Sequence, residues 1–146
     1  MRLTSRRTVA TAIVLFATIA GSLTAFATPQ QQRRADPNSP RMKGVEALAA
    51  FLATEGDEAI ADFMAGSIAA KVRDGMGGTA LSSELAGIRE ELRGADRTIL
   101  RPRGELSVSI SYTLPGGAAA IVTITLDEDD PERFASIVSP EHDIGA

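Results

Sequence analysis

The sequence predicts an α+β domain in which three N-terminal amphipathic helices pack on one face of a three- or four-stranded antiparallel sheet. Two observations support this fold class. Apolar residues recur at steps of three and four between residues 41 and 93, which is the period of an amphipathic helix. Between residues 105 and 126 aliphatic residues instead alternate with Ser and Thr, which is the period of a strand with one buried face. Because the helices come first and the strands follow, a separate layer of each is expected.

The first 27 residues are predicted to be a cleaved signal peptide. This segment opens with three arginines, carries no charge from Thr8 to Ala27, and ends in Ala-Phe-Ala, a pattern that signal peptidase recognises. An uncleaved membrane anchor is the alternative, because an uncharged segment of this length can span a bilayer. Both the general secretory and the twin-arginine export routes stay open. We expect an exported protein, periplasmic or secreted, that meets the membrane only through this segment if the segment is kept.

Composition excludes several classes of function. Removal of the signal peptide leaves twelve cations against nineteen acids, a formal charge of −7, so a nucleic-acid partner would be repelled. The absence of Cys excludes disulfides, thiolate metal sites and a Cys nucleophile. Residues 28–40 are rich in Gln, Pro and Asn and are predicted to be a flexible linker, followed by a domain over 41–140. Residues 141–146 are predicted to be a frayed tail.

Each of the three predicted helices has an apolar stripe and a terminating signal. The first runs from Pro40 to Gly56, the second from a cap at Asp57 to the segment DGMGG, and the third from Thr79 to Gly94. The stripes are Val45, Leu48, Phe51 and Leu52 in the first, Ile60, Phe63, Met64, Ile68 and Val72 in the second, and Leu81, Leu85, Ile88 and Leu92 in the third. None of these helices is apolar all round, so each is expected to bury one face against a sheet.

A β-hairpin is predicted over residues 106–126, and its register follows from parity. A three-residue Pro-Gly-Gly loop over residues 115–117 places Ile110 opposite Val122 and keeps all the aliphatic residues on one face. A two-residue Gly-Gly turn would place Ile110 opposite Thr123 and mix the two faces. The longer loop also suits Gly117, which can adopt the left-handed conformation.

Two shorter strands are predicted beside the hairpin. Residues 98–101 precede it and are ended by Pro102, which cannot donate to a central ladder. Residues 134–138 follow it after an acidic turn. The resulting sheet has one apolar face, which the helices are expected to cover, and one face rich in hydroxyl groups.

The predicted register also brings two carboxylates together. It places Glu105 opposite Asp127, a like-charge pair that fraying or a nearby cation, such as Arg101 or Arg103, would relieve. Asp127 opens the acidic segment DEDDPE, which lacks the Gly and Glu that an EF-hand loop needs at its sixth and twelfth positions. We expect a solvated turn there and no metal site, with irregular calcium coordination as the alternative.

The order of elements resembles a known class of domain. Helices that end in Gly are followed by IREELRGADRTILRPRGELSVSISYTLPGGAAAIVTITLDEDDPERFASI, and this arrangement resembles the small NTF2-like or cystatin-like α+β domains of exported bacterial proteins. It is most similar to the accessory domains that precede serine-hydrolase or penicillin-binding-protein-like catalytic domains. The resemblance covers residues 45–138 and rests on element order, not on a motif. It implies an accessory binding domain, or a stand-alone remnant of one, and carries over no catalytic residue.

The sequence offers little for catalysis. No Ser-x-x-Lys motif is present, and the single His, His142, falls in the predicted tail, where a solvated residue is expected and not a catalytic one. The segment DGMGG lacks the Lys and the spacing of a phosphate-binding loop, so it is expected to connect two helices. No cofactor is predicted.

An NTF2-like pocket would lie between the helices and the dry face of the sheet, with Tyr112, Phe63, Met64 and Ile110 around it. The alternative is that these four residues belong to the core. The leading hypothesis is an exported non-catalytic binding or interaction domain of the bacterial cell envelope, with an envelope protein or a small apolar ligand as its partner. An NTF2-like enzyme that uses Tyr112 and a carboxylate is the second hypothesis. A homodimer through the hydroxyl-rich face of the sheet is the third.

Overall fold

The computed structural model describes residues 36–145, in which four helices are followed by a five-stranded antiparallel sheet. The helices are α1 (Pro40–Leu52), α2 (Asp57–Ser67), α3 (Ala70–Met76) and α4 (Gly78–Glu91), and the strands are β1 (Asp96–Pro102), β2 (Ser107–Thr113), β3 (Ala119–Leu126), β4 (Phe134–Val138) and β5 (Asp143–Ile144). This architecture confirms the predicted α+β class. The predicted signal peptide and most of the predicted linker lie outside the described residues.

The predicted second helix is in fact two helices, α2 and α3, which correct the expected count of three. The chain is extended at Ile68, with φ −96° and ψ 133°, and this residue forms a parallel bridge with Phe134. The backbone N–H of Ala69 donates to the carbonyl of Phe134 over 2.9 Å. Because Ile68 and Val72 are both buried, the apolar pattern continues across the break, and periodicity alone does not reveal it.

The other observed helix boundaries differ from the predicted ones by a few residues. α1 ends at Leu52, short of the predicted cap at Gly56, and Gly56 instead directly precedes α2. α4 begins at Gly78, one position before the predicted Thr79. Among the described residues, no helix is long and apolar enough to cross a membrane.

The β2–β3 hairpin has the predicted register and loop. Ile110 pairs with Val122 and Val108 with Ile124. The N–H of Leu114 donates to the carbonyl of Ala118 over 2.8 Å and closes the three-residue loop. Gly117 has φ +86°, a conformation that residues with a Cβ rarely adopt. Parity and turn chemistry therefore identified the correct register.

The sheet has the strand order β1-β2-β3-β4-β5, with antiparallel neighbours throughout. The two predicted flanking strands correspond to β1 and β4, and β1 extends to Pro102 at the edge of the sheet. The strand β5 corrects the expectation of a frayed tail. Its Ile144 is fully buried and lies opposite Ile137, so the end of the chain contributes to the core.

The helices cover one face of the sheet, where Val108, Ile110, Val122 and Ile124 are almost completely buried. We call the opposite face the open sheet face. It consists of Asp96, Ile99, Arg101, Ser107, Ser109, Ser111, Thr113, Ala119, Ile121, Thr123, Thr125, Ser136, Val138 and Asp143, which the strand registers place on one side. Ile99 and Ile121 are 49% and 55% exposed, which shows that this side faces solvent in the single chain.

Candidate functional site

The clearest candidate site centres on Tyr112. Strand β2 places this residue on the helix-covered face of the sheet, between Arg97 on β1 and Ala120 on β3. Tyr112 is only 4% exposed, and its hydroxyl is buried with no hydrogen-bond partner among the described residues. A buried hydroxyl without a partner costs about 1–3 kcal/mol, because it has lost its bonds to water. A bound molecule with an acceptor atom would remove that cost.

A cavity of about 360 Å³ adjoins Tyr112 and falls within the size range of small-molecule sites. Its walls are mostly small or aliphatic side chains from α1 and from the segment between α4 and β1. They are Ala49, Leu52, Ala53, Leu92 and Ala95. Because three of these five residues are alanines, α1 and the segment after α4 leave space that larger side chains would fill.

Arg97 lines the same cavity and supplies its only cation among the lining residues. Its Nη1 donates to Oε1 of Glu46 over 3.0 Å, in a partly exposed ion pair. Such a pair at the surface contributes little to stability. A guanidinium group has five N–H donors, so the contact with Glu46 does not use its full capacity.

Burial holds the Tyr112 hydroxyl in its protonated form. It raises the pKa of Tyr112 above the ordinary value, while the nearby charge of Arg97 opposes the shift and that of Glu46 adds to it. At neutral pH the group is therefore an O–H donor. Tyr112 and Arg97 both line the cavity and both carry hydrogen-bond donors, a combination that suits a ligand with an acceptor.

The other three residues predicted to form the pocket lie elsewhere. Ile110 is fully buried in the core, and Met64 packs against the core half-buried. The ring of Phe63 stacks on Phe51 with centroids 4.2 Å apart. None of the three lines the Tyr112 cavity, and their positions fit the alternative that they belong to the core. A domain of this size needs such residues to bury enough apolar surface.

His142 is also placed differently from the prediction of a solvated tail. Its Nδ1 lies 3.0 Å from Oε2 of Glu84, and its ring packs so closely on Gly87 of α4 that no side chain fits there. The hydroxyl of Ser139 donates to Glu91 over 2.5 Å. The Ser139 proton is thus directed to a carboxylate and not to the imidazole, which is unlike a catalytic triad. These contacts hold residues 139–142, which directly precede β5, against α4.

The acidic segment is anchored by a specific cation. Lys71 Nζ lies 2.6 Å from Oδ2 of Asp127, and this contact is the main cause of the lowered pKa of Asp127 and the raised pKa of Lys71. The partner of Asp127 is therefore Lys71 and not Arg101 or Arg103. Within residues 36–145, no group of three or more His, Asp or Glu side chains is arranged to hold a metal ion.

Comparison with protein-family models, curated proteins and solved structures found no match for this chain. The resemblance to NTF2-like and cystatin-like accessory domains therefore stays a prediction. The argument for function depends on the fold and on the chemistry of the Tyr112 cavity.

Proposed function

We propose that this protein is an exported, non-catalytic binding domain of the bacterial cell envelope. It takes a small, largely apolar ligand with a hydrogen-bond acceptor into the Tyr112 cavity. The observation that supports the proposal is the hydroxyl of Tyr112, which is buried without a partner beside a cavity of about 360 Å³. Buried polar groups nearly always have a partner, so an unpaired donor beside a cavity is a favourable position for a ligand acceptor.

The chemistry of the walls defines the ligand. Five apolar residues would surround its body, while the Tyr112 hydroxyl would donate to its acceptor and Arg97 would favour a negative charge on the same group. A carboxylate or sulfonate on an apolar chain or ring meets these requirements. An amine would place a cation beside Arg97 and leave the hydroxyl without an acceptor.

Binding is favoured over catalysis by the surroundings of the hydroxyl. An acid–base enzyme needs a second titratable group in contact with the first, or with the reacting atom. Among the described residues, the Tyr112 hydroxyl makes no hydrogen bond to such a group. The cavity therefore offers recognition of a ligand but not a proton relay.

The substitution Tyr112→Phe tests the site directly. The exported protein is titrated with anilinonaphthalene sulfonate, a fluorescent apolar anion, and the bound probe is then displaced with decanoate. Loss of the hydroxyl is expected to weaken both ligands about tenfold, because their acceptor loses a buried donor. The unfolding free energy of the ligand-free protein is expected to rise by about 1 kcal/mol, because an unpaired buried group has been removed.

Two controls make this experiment specific. Thr113→Val deletes the neighbouring, exposed hydroxyl and is expected to leave both affinities unchanged. Decylamine has the same chain as decanoate but presents a cation, so it is expected not to displace the probe. Equal binding by the native chain and by Tyr112→Phe would contradict the proposed site.

Export is the second part of the proposal and has its own test. Mass spectrometry of the exported protein is expected to find Thr28 at the amino terminus, as the Ala-Phe-Ala cleavage pattern predicts. A chain that keeps its first residues would be an anchored protein instead.

A further inference from the structure

An acid stands beside the cation of the Tyr112 cavity. Glu46 lies one turn before Ala49 on α1, and residues 46, 49 and 53 follow one another at steps of three and four, which places them on one side of the helix. Ala49 and Ala53 line the cavity. Glu46 does not line it, but its side chain is the next one along the wall that α1 contributes.

Two observations relate the Glu46 carboxylate to the donors of the proposed site. Its Oε1 accepts the 3.0 Å hydrogen bond from Nη1 of Arg97, which lines the cavity. Its charge also acts on Tyr112, because it adds to the rise in the pKa of the hydroxyl. Glu46 is thus within electrostatic reach of both donors.

The contact between Arg97 and Glu46 leaves capacity on both side chains. It is a single hydrogen bond, whereas a guanidinium group and a carboxylate can form two parallel ones. Among residues 36–145, Oε2 of Glu46 has no hydrogen-bond partner, and the side chain is 63% exposed. This charged pair therefore offers N–H donors and a carboxylate oxygen side by side to a third molecule.

We propose that the ligand of the Tyr112 cavity is an α-amino acid with an apolar side chain, an inference that rests on the function proposed above. Its carboxylate binds Arg97 and the Tyr112 hydroxyl, its ammonium group donates to Glu46, and its side chain enters the cavity. The two charged groups of an α-amino acid are attached to one carbon atom, so they need a cation and an anion that lie next to each other. Arg97 and Glu46 meet this requirement, with Nη1 and Oε1 3.0 Å apart.

Charge favours this ligand over a simple anion. Glu46 repels an anion that approaches Arg97, because the two side chains form one pair. An α-amino acid has no net charge at neutral pH, and each of its charged groups meets the opposite charge. It also avoids the general repulsion of anions by residues 28–146, which carry twelve Lys and Arg against nineteen Asp and Glu.

The walls of the cavity determine the kind of side chain that it accepts. Apart from Tyr112 and Arg97, the lining residues are Ala, Leu and Gly, which have no polar side-chain atoms. A polar side chain would lose its hydrogen bonds to water there and find no partner in return. The volume of about 360 Å³ has room for a long or bulky apolar side chain.

Competition between two ligands with the same carbon chain tests this inference. Anilinonaphthalene sulfonate bound to the exported protein is displaced with decanoate or with α-aminodecanoate, which differs by the added ammonium group. The amino acid is expected to bind the native chain about tenfold more tightly, because its ammonium group gains a charged acceptor. The isomer ω-aminodecanoate carries its ammonium group at the far end of the chain and is expected not to displace the probe, because it would bury a charge among apolar walls.

The substitution Glu46→Gln is expected to move the two affinities in opposite directions. It removes the charge of the acceptor, so α-aminodecanoate binds about tenfold more weakly. Decanoate binds about threefold more tightly, because a partly exposed repulsive charge is gone. Damage to the fold would weaken both ligands. Glu58→Gln removes an exposed acid on α2 and is the matched control, expected to change neither affinity.

The outcomes distinguish this inference from the function on which it rests. If the native chain binds decanoate but shows no preference for α-aminodecanoate, or if Glu46→Gln keeps that preference, the amino-acid ligand is wrong and the proposed cavity site stands. If neither ligand displaces the probe, or if Tyr112→Phe binds both as the native chain does, the proposed function is wrong and the inference fails with it.

Discussion

Arg97 lies directly opposite Tyr112 in the ladder between β1 and β2, and both residues line the same cavity. The hairpin register fixes Tyr112 on the helix-covered face, and the bulge between Arg97 and Ile99 brings Arg97 to the same side while Ile99 faces solvent. A neutral donor and a cation are thereby placed next to one another at the edge of the core. This pairing is the basis of the proposed preference for anionic acceptors.

Replacement of Arg97 distinguishes the contribution of its positive charge to ligand binding from the contribution of hydrogen bonds. We expect Arg97→Gln to weaken decanoate about tenfold, because an anion loses a partly buried positive charge, and to leave neutral decanamide nearly unchanged. The unfolding free energy is expected to change by less than about 1 kcal/mol, since the pair with Glu46 is partly exposed. Arg93→Gln, which removes an exposed cation elsewhere, is the matched control for calorimetric titration. Equal losses for both ligands would contradict a charge effect.

Filling the cavity is expected to remove binding without harming the fold. Ala49 lines the cavity from α1, and Ala49→Leu adds apolar volume where space exists. We expect the probe affinity to fall at least about tenfold and the unfolding free energy to stay equal or rise by up to about 1 kcal/mol. Ala50→Leu places the same side chain on the exposed side of α1 and is expected to bind normally. Chemical denaturation and fluorescence titration of both variants distinguish these outcomes.

The pair formed by Lys71 and Asp127 predicts a specific dependence of stability on pH. The pKa of Asp127 is lowered, so its contribution is present above the unfolded value near 3.9 and is lost as the pH falls through the folded value. The pKa of Lys71 is raised, so its contribution is lost as the pH rises through its folded value. Lys71→Met is expected to lower Tm at pH 7, with a difference that shrinks below about pH 4.

Thermal unfolding from pH 2 to 7 measures this difference, and Lys43→Met, which removes an exposed cation on α1, serves as the control. A gap between the native chain and Lys71→Met that is the same at pH 3 and pH 7 would show that the ion pair does not act as described.

The effect of Gly87→Ala on the unfolding free energy is predicted to change sign when His142 is also replaced. In the native chain the ring of His142 occupies the space of a side chain at Gly87, so Gly87→Ala displaces the ring and breaks its contact with Glu84. We expect a loss of about 1–2 kcal/mol of unfolding free energy. With His142→Ala present, the same change is expected to stabilise α4 by about 0.5–1 kcal/mol, because Ala favours a helix over Gly. A double-mutant cycle by chemical denaturation checks both values.

The hairpin could be predicted in detail because an error in its register has a large physical consequence. A shift by one residue would move Val108, Ile110, Val122 and Ile124 from the core into water. The break at Ile68 gave no such signal, since the residues on both sides of it are buried at helical spacing. β5 was missed because two residues are too few to display an alternation.

The candidate site was only partly predictable for a different reason. Tyr112 was identified from its polar group on a dry face, which is a local property of the sequence. The space beside it depends on how α1 approaches the segment after α4, and three alanines from these two segments create it. Such a tertiary distance has no signature in either segment alone. Phe63, Met64 and Ile110 were expected at the pocket, but Phe63 and Ile110 lie in the core and Met64 packs against it.

The bond between Ala69 and Phe134 has a consequence for the order in which the molecule is assembled. The turn that separates α2 from α3 is completed by a carbonyl that the chain supplies only near its carboxyl end. Contacts between positions so far apart form slowly, because a long loop must close first. The turn between α2 and α3 therefore makes this bond only after β4 has been added to the sheet. A polypeptide threaded amino end first through a translocation channel would lack this bond between its helices and its sheet until Phe134 had emerged.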